Sequence, residues 1–214
     1  MEVVIATRNP HKAQEVKSIL REFGIEGHSL DDIDPAGKIP RIQETGSTLK
    51  DNALIKARTV HSVTGNPVIA DDTGLEVDAL HGAPGVLSAR YAGEGSTYQD
   101  NMDKLLQALK HVPPERRTAR FRTVACYVDG ESDSPGQEEL CAEGVVEGVI
   151  RSEPAGDGGF GYDPVFTIPE LGRTYAQLSE KEKNRLSHRS KALRKLVNLL
   201  HRDSVPTPHS SHQT

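Results

Sequence analysis

The stretch Val3-Val4-Ile5-Ala6-Thr7-Arg8-Asn9-Pro10-His11-Lys12 decides how the chain begins to fold. Its first four residues form a continuous apolar run, which is typical of a buried strand, and a polar loop follows. Asn9 is a suitable N-cap and Pro10 fits the first helical position, so a helix is predicted to begin there. Apolar residues then recur at helical spacing until Gly24, which is suited to ending the helix. The opening unit is therefore a buried strand, a polar loop and a helix.

Length and composition are typical of one globular domain. The chain has 214 residues, 35% of them hydrophobic, which is enough to build a single sizeable core. The sequence shows no internal repeat and no inter-domain linker. We expect one domain over residues 1–202 and a disordered tail over residues 203–214, where Pro, Ser and His accumulate.

Charge and hydropathy argue against two classes of partner, nucleic-acid polymers and membranes. Lys and Arg total 26 against 31 Asp and Glu, a formal net charge of -5, so no global field attracts a nucleic-acid polymer. No apolar stretch approaches the roughly 20 residues of a membrane span, and the N-terminus carries no export signal. We expect a cytoplasmic protein that holds any anionic ligand through a local basic cluster.

Cys126 and Cys141 are the only cysteines, and both lie in apolar, strand-like segments without CxxC spacing. This pattern indicates neither a zinc site nor a disulfide framework. Buried free thiols are the expected state.

Three further helices are predicted. One runs from Thr48 to Val63. A second follows the capping-box pattern of Thr97 and Asp100. The last begins at Ser179 with a similar capping box and continues unbroken to about residue 200.

Strand patterns complete the fold class. Residues 68–70 form a short buried strand that runs directly into Asp71-Asp72, which we place in a loop. Residues 119–128 and 140–150 form a hairpin around the polar residues 130–137. Helices with both buried and alternating strands predict an α/β domain around a twisted mixed sheet.

The loop from Thr7 to Lys12 is the first candidate site. Free backbone N–H groups at a helix N-terminus bind anions, and Lys12 adds a charge for a phosphate. Capping alone would also explain Asn9 and Pro10, with Lys12 merely solvated.

Three carboxylates form the second candidate site. Glu44 lies in one polar loop, and Asp71 and Asp72 follow a predicted strand. Mg²⁺ prefers hard oxygen ligands and takes one or two protein carboxylates besides water and phosphate. Adjacent carboxylates also repel each other, which a cation partner relieves. The alternative is that the two aspartates only cap a turn.

The glycine-rich segment 154–164 matches G-x-G-x-x-G at Gly156, Gly158 and Gly161, but an extended chain follows it at Asp163-Pro164. A dinucleotide fingerprint must open a helix, so we reject that reading. What remains is a loop that presents aromatic rings suited to stacking on a nucleobase, or simply an ordered surface loop.

Lys183, Ser187, His188 and Arg189 lie close together on the last predicted helix. Two or three donors there could contact phosphate or the O6 and N7 acceptors of a purine. A solvated basic face is the ordinary alternative.

In order and spacing, these segments resemble the inosine triphosphate pyrophosphatase family, which acts on non-standard purine nucleoside triphosphates. The resemblance spans about residues 2–200. Its motifs are Ala6-Thr7-x-Asn9-x-x-Lys12-x-x-Glu15, Glu44-Thr45-Gly46, Asn52-Ala53, Lys56-Ala57, Ala70-Asp71-Asp72-Thr73-Gly74-Leu75, Gly82-Ala83-Pro84-Gly85, Ser88-Ala89-Arg90-Tyr91, Gly158-Gly159-Phe160-Gly161-Tyr162-Asp163-Pro164, Glu182-Lys183 and Ser187-His188-Arg189.

The resemblance implies an elongated α/β fold with a central mixed sheet, two lobes around a nucleotide cleft, and a homodimer. It also implies hydrolysis of ITP, dITP and XTP to the monophosphate and pyrophosphate with one Mg²⁺ per subunit. Glu44 and Asp72 would bind the metal, Asp72 would also be the general base, and Lys56 would face the phosphates.

The same resemblance implies the substrate contacts. The triphosphate would be bound by Thr7, Arg8, Asn9, Pro10, His11 and Lys12. Phe160 would stack on the base and Thr73 would contact substrate. The nucleoside pocket would be completed by Gly161, Tyr162, Asp163, Lys183, His188 and Arg189.

Few positions depart from the family pattern. Gln43 replaces a second Glu that many bacterial members carry beside Glu44, and Thr73 replaces a frequent Ser but keeps the hydroxyl. Arg8 and His11 occupy variable positions. A pyrophosphatase for other modified nucleotides and a non-catalytic nucleotide-binding regulator are the alternatives.

Overall fold

The computed structural model describes residues 1–130 and 138–203. Its helices are α1 (Pro10–Arg21), α2 (Leu30–Ile33), α3 (Leu49–Thr64), α4 (Tyr98–Ala108), α5 (Glu180–Leu186) and α6 (His188–Asp203). Its strands are β1 (Glu2–Ile5), β2 (Glu26–Ser29), β3 (Val68–Val77), β4 (Pro84–Gly85), β5 (Thr118–Asp129), β6 (Glu138–Ile150), β7 (Phe166–Ile168) and β8 (Arg173–Thr174).

All eight strands form one mixed sheet in the order β2-β1-β3-β5-β6-β7-β8, with β4 paired to β3. β1 runs parallel to β2 and β3, and the remaining pairs are antiparallel. Helices cover both faces of this sheet. The predicted α/β class with a mixed sheet flanked by helices is confirmed.

Strand alternation assigns the helices to faces. In β3, Ile69 packs in a core cluster with residues of α1 and α6, whereas Ala70 packs in a cluster with Ala57 and Val60 of α3. Successive side chains of a strand point to opposite faces, so α1 and α6 lie on one face and α3 on the other. A separate cluster around α4, β6 and β7 forms the second lobe.

The helix boundaries confirm most of the sequence signals. The side chain of Asn9 caps α1, with Pro10 in its first turn. Thr48 caps α3, and Gly65 ends it at φ 65°. The capping boxes at Thr97 and Ser179 are both present.

The placement of Asp71 and Asp72 in a loop was wrong. Both lie inside β3, whose backbone pairs with β5 from residue 68 to residue 77. The alternative, that the two aspartates only cap a turn, is also wrong, because Gly74 pairs with Arg122 in the strand and allows the backbone of Gly85 to approach closely. Consecutive strand positions therefore send the two carboxylates to opposite faces of the sheet.

The prediction of one unbroken last helix was also wrong. Ser187 has an extended backbone, with φ -67° and ψ 155°, and separates α5 from α6. Its hydroxyl accepts a hydrogen bond from the N–H of Ser190, as an N-cap does. His188 and Arg189 thus stand in the first turn of a new helix.

The expectation of free thiols is contradicted, because Cys126 and Cys141 form a disulfide. The β5–β6 register places the two residues directly opposite each other, with their Cα atoms 4.1 Å apart. That spacing lies close to the range over which a disulfide joins two strands.

The turn expected at residues 131–137 and the tail expected from residue 204 lie outside the described residues. Among the residues described, no helix combines the length and apolar character that crossing a membrane requires.

Candidate functional site

A cleft of about 790 Å³, counting its open mouth, lies between the two lobes. Among the predicted site residues, a first group lines it from β3, the first turn of α1 and the loops before α1 and α3: Asn9, Lys12, Glu44, Asp72 and Thr73. A second group comes from the glycine-rich loop, α5 and α6: Phe160, Gly161, Tyr162, Asp163, Lys183, His188 and Arg189. Residues predicted from distant parts of the sequence are therefore brought into one cavity.

Lys56 extends from α3 between the two predicted metal ligands. Its Nζ donates to Glu44 Oε1 at 2.7 Å and to Asp72 Oδ1 at 3.2 Å. Burial disfavours the ammonium, but the attraction of Asp72 and Glu44 outweighs burial and raises the pKa of Lys56. At Glu44 burial acts in the opposite direction, and Lys56 overcomes it and lowers the pKa of the carboxyl. The two carboxylates converge on one point at the edge of the cleft.

Asp72 is held on its other oxygen by α3. Asn52 Nδ2 donates to Asp72 Oδ2 at 3.3 Å, and only 6% of Asp72 is exposed. Burial raises the pKa of Asp72 above its ordinary value, although Lys56 and Lys12 oppose the shift. A carboxylate with a raised pKa accepts a proton more readily near neutral pH.

The loop that carries Glu44 is tied to the same helix. The N–H of Gly46 donates to Asn52 Oδ1 at 2.8 Å, so one amide side chain fixes both the loop and Asp72. A Cβ at Gly46 would lie 2.6 Å from Asp51 Cβ and 2.7 Å from Asn52 Oδ1. Only glycine fits this close approach without a shift of the loop.

Arg90 fixes Glu44 from the opposite side. Its guanidinium lies 3.6 Å from Glu44 Oε2 and donates to the backbone carbonyl of Glu44 at 3.3 Å. Glu44 is thus held between two cations, Lys56 and Arg90.

Asp71 meets a different set of cations on the α6 side of the sheet. Arg189 Nε donates to Asp71 Oδ2 at 3.1 Å, and Lys12 Nζ lies 3.6 Å from the same oxygen. Burial alone would raise the pKa of Asp71, but Lys12 and Arg189 outweigh burial and hold it well below its usual value. Asp71 is therefore a firmly ionised partner of two cleft residues.

A buried ion network extends from Asp71 through Glu15 to the glycine-rich loop. Glu15 accepts from Lys183 Nζ at 2.5 Å with one oxygen and from Arg189 Nη1 with the other. Lys183 also donates to Asp163 Oδ2 at 2.7 Å. Two cations and three carboxylates join five separate segments of the chain on this side of the cleft.

The ring of Phe160 borders this network. Lys183 Nζ lies 4.7 Å from the ring centroid and Arg189 Cζ lies 5.7 Å from it, which are cation–π distances. Asp163 Oδ2 accepts from the N–H of Phe160 at 2.8 Å and so fixes the loop. The ring is consequently held at the cleft with two cations beside it.

His188 is a neutral donor or acceptor in the cleft. Burial, reinforced by Arg189 and Lys183, lowers the pKa of His188 well below its ordinary value. Its Nδ1 is 2.6 Å from Thr123 Oγ1, which is in turn 2.7 Å from Thr73 Oγ1. Within the described residues Nε2 makes no hydrogen bond, so it is the ring nitrogen left for a ligand.

The predicted phosphate loop, residues 7–12, contributes fewer side chains to the cleft than the resemblance implies. The side chain of Asn9 accepts from the N–H groups of His11 and Lys12 at 3.0 and 3.3 Å. Arg8 turns away and pairs with Asp31 at 3.0 Å and Asp34 at 2.7 Å. Four of the six loop residues are not among those that line the cleft: Thr7, Arg8, Pro10 and His11. Their substrate contacts remain predictions.

Gly161 and Tyr162 complete the loop beside Phe160. The hydroxyl of Tyr162 donates to the carbonyl of Ser88 at 2.9 Å. Ser88 in turn accepts from the N–H of Leu75 at 2.8 Å. The glycine-rich loop is therefore anchored to β3, the strand that carries the aspartates.

Sequence reasoning missed several residues of the site. Glu15, Asn52 and Arg90 stand within quoted motifs, but nothing in their spacing indicated a role, and only their contacts in the fold do. Thr123 and Tyr98 had no signal at all.

The chain is similar to known proteins over most of its length. The model of the Ham1 family matches residues 3–199. A dITP/XTP pyrophosphatase of Bacillus licheniformis is 50% identical over 199 residues, covering 93% of this chain and 97% of the relative. One of Thermoanaerobacter sp. is 48% identical over 200 residues, covering 94% and 96%. A HAM1 protein structure from Coxiella burnetii matches with a TM-score of 0.81 at 42% identity, covering 94% of this chain and 99% of that one. These matches confirm the resemblance, and this chain belongs to the Ham1 family.

Proposed function

We propose that this protein hydrolyses non-standard purine nucleoside triphosphates, ITP, dITP and XTP, to the monophosphate and pyrophosphate. The relatives named dITP/XTP pyrophosphatase support this activity. The observation that carries it is the cleft, where two carboxylates with Lys12 and an aromatic ring with buried cations line one cavity. A nucleoside triphosphate carries metal-binding phosphates at one end and a planar base at the other. It therefore needs both environments within one cavity.

The donor set at Glu44 and Asp72 fits Mg²⁺. Two carboxylates meet at the cleft, and Mg²⁺ takes about that number of protein ligands, leaving its other positions to water and phosphate oxygens. When bound, the ion would neutralise charge on the phosphates. Asn52 and Arg90 would keep the two carboxylates oriented towards it.

Asp72 is the general base of the proposed reaction. It would take a proton from the water that attacks the α-phosphorus, and pyrophosphate would leave. Its burial favours this role because desolvation raises the pKa of the carboxyl. Asn52 fixes Oδ2, so the geometry of the base is set before substrate binds.

Lys12 and Lys56 supply positive charge for the phosphates. Burial lowers the pKa of Lys12 while Asp71 opposes that shift, and the carboxylates around Lys56 raise its pKa. Fixed charges in a partly dry cleft stabilise the developing pyrophosphate more than solvated ones do.

Base recognition rests on the second group of residues. Phe160 would stack on the purine. Hypoxanthine and xanthine carry a 6-oxo acceptor, which a donor such as His188 Nε2 or an Arg189 N–H can satisfy, whereas adenine presents an amino group there. A mismatch that leaves a buried polar group unpaired is costly, and this favours the oxo purines.

Steady-state release of pyrophosphate tests the proposal. The panel contains ITP, dITP, XTP, GTP and ATP, with modified pyrimidine and methylated nucleotides, each with and without MgCl₂. We expect the highest kcat/KM for ITP, dITP and XTP and no turnover without Mg²⁺. Highest activity on a modified pyrimidine would identify a different house-cleaning enzyme, and binding of ITP without turnover would identify a regulator.

We also propose that the protein is a cytoplasmic homodimer, as the resemblance implies. Light scattering coupled to size-exclusion chromatography tests the stoichiometry. A monomer at assay concentration contradicts it.

A further inference from the structure

Tyr98 links the two walls of the cleft. It is the first residue of α4, and its hydroxyl accepts a hydrogen bond from Asn9 Nδ2 at 2.7 Å. The two residues are 89 positions apart in the chain, and Tyr98 remains 43% exposed. An exposed aromatic side chain that holds one specific partner across a cleft requires an explanation.

The contact orients the amide of Asn9. Its Oδ1 already accepts from the N–H groups of His11 and Lys12, which fixes the cap of α1. With Oδ1 committed, Nδ2 points towards α4 and needs an acceptor, and the hydroxyl of Tyr98 supplies it. A flipped amide would lose both cap bonds, so Tyr98 stabilises the working orientation of the phosphate loop.

The ring of Tyr98 also faces Phe160. The two centroids are 5.8 Å apart at an interplanar angle of 40°, while His11 stacks on Phe160 at 5.6 Å and 18°. Phe160 is thus flanked by one ring from the phosphate loop and one from α4. Such pairs restrict the positions that an aromatic side chain adopts.

α4 itself is a fixed support. Asn101 Oδ1 accepts from the N–H of Ala92 at 2.7 Å, and Asn101 Nδ2 donates to the carbonyl of Ala89 at 3.2 Å. These bonds tie the first turn of α4 to the segment that carries Arg90. Because α4 is fixed in this way, Tyr98 can restrain the side chains of Asn9 and Phe160.

We propose that Tyr98 is a positioning residue of the nucleotide site, which acts through Asn9 on the polyphosphate and through Phe160 on the base. This inference rests on the proposed function. In this proposal the hydroxyl of Tyr98 affects binding of the polyphosphate, and its ring affects binding of the base. The two effects can be measured separately.

The test compares Tyr98→Phe, which removes only the hydroxyl, with Tyr98→Ala, which removes the ring as well. Gln99→Ala, at the next and exposed position of α4, is the matched control. The readouts are kcat and KM for ITP with Mg²⁺, calorimetric binding of inorganic tripolyphosphate and of IMP, and the melting temperature.

Tyr98→Phe is expected to raise KM for ITP and Kd for tripolyphosphate by the same factor of about three to ten, the effect of one net hydrogen bond. kcat should stay within about twofold, since uniform binding is lost rather than transition-state stabilisation. Tyr98→Ala is expected to weaken IMP and ITP further by about two- to tenfold while tripolyphosphate weakens no further. Gln99→Ala should match the wild type throughout.

A Tyr98→Phe protein with unchanged KM and tripolyphosphate affinity overturns the inference, as does a variant that loses only melting temperature. A double-mutant cycle with Asn9→Ala sharpens the test, because Tyr98→Phe should then have no further effect on tripolyphosphate, and full additivity contradicts action through Asn9. Absence of ITP turnover in the wild type would instead overturn the proposed function, and the two binding measurements would still decide the role of Tyr98.

Discussion

Asp71 and Asp72 are adjacent and chemically identical, yet the fold treats them in opposite ways. Asp71 faces α1 and α6, where Lys12 and Arg189 outweigh burial and lower its pKa. Asp72 faces α3, where burial outweighs Lys56 and raises its pKa. Strand alternation thus produces one firmly ionised carboxylate and one that is poised to take up a proton.

The two aspartates are therefore expected to have different roles, Asp71 in stability and Asp72 in the reaction. Asp71 belongs to a network of five buried charges that joins α1, β3, the glycine-rich loop, α5 and α6. Asp72 contacts Lys56 and Asn52 at the edge of the cleft, beside Glu44. Substituting the first should disturb the fold, and substituting the second should disturb the reaction.

The largest effect is expected for Asp72→Asn. The amide keeps the shape of the side chain but cannot accept a proton from water, so kcat for ITP should fall by about 10²- to 10⁴-fold. Pyrophosphate release measures the loss, and an unchanged urea midpoint serves as the control for folding. Near wild-type kcat in this variant would refute the role of Asp72 as the base.

Asp71→Asn is the matched substitution on the other face. The variant leaves Arg189 with Glu15 as its remaining buried carboxylate partner. Breaking a buried ion pair usually lowers the free energy of unfolding by about 3 to 5 kcal/mol. We expect about 3 kcal/mol, the low end of this range, because Glu15 remains. Urea denaturation should show this loss in the free energy of unfolding. If Asp72→Asn proves as destabilising as Asp71→Asn, the division between the two faces is wrong.

Gly46→Ala sharpens the comparison on the Asp72 side. The new Cβ would meet Asp51 Cβ and Asn52 Oδ1 at 2.6 and 2.7 Å, so the loop that carries Glu44 must shift. A displacement of the proposed metal ligand Glu44 by about 1 Å should lower kcat/KM for ITP by roughly 10- to 100-fold. Ser47→Ala, at the exposed neighbouring position, should leave kcat/KM unchanged. Equal rates for both variants would show that the position of the loop does not matter.

Much of this site could be predicted because its signals are local. The strand, cap and first helical turn around Asn9 depend on neighbouring residues, and the structure has them as expected. Asp71 and Asp72 do have cationic partners, but these are lysine and arginine side chains from other segments, and the predicted metal ion stays a prediction. Local sequence patterns do not reveal a partner that comes from a distant segment of the chain.

The errors have identifiable physical causes. Pairing of Cys126 with Cys141 depends on the register of β5 and β6, and apolar content alone does not set a register across residues 131–137. The break at Ser187 interrupts the helix without disturbing the apolar spacing on either side, although Ser187 is itself a recognisable N-cap residue. Contacts such as that of Tyr98 with Asn9 require the tertiary structure.

The smallest expected effect is a pH dependence on the Asp71 side, at His188. Its pKa is lowered well below 6.5 in the folded protein by burial and by Arg189 and Lys183. Well above pH 6.5 the residue is neutral in both states and contributes nothing to the pH dependence of stability. As the pH falls below 6.5, His188 binds a proton in the unfolded chain but not in the folded protein. The free energy of unfolding therefore decreases. For a histidine that stays neutral in the folded protein over the whole range from pH 7.5 to 5.5, this decrease amounts to about 1.4 kcal/mol. Urea denaturation of wild type and His188→Asn at both pH values should show that the variant loses about that much less, since the other histidines are common to both. Equal losses in the two proteins would mean that His188 takes up its proton as readily in the folded protein as in the unfolded chain, and that its pKa is not lowered by burial and the neighbouring cations.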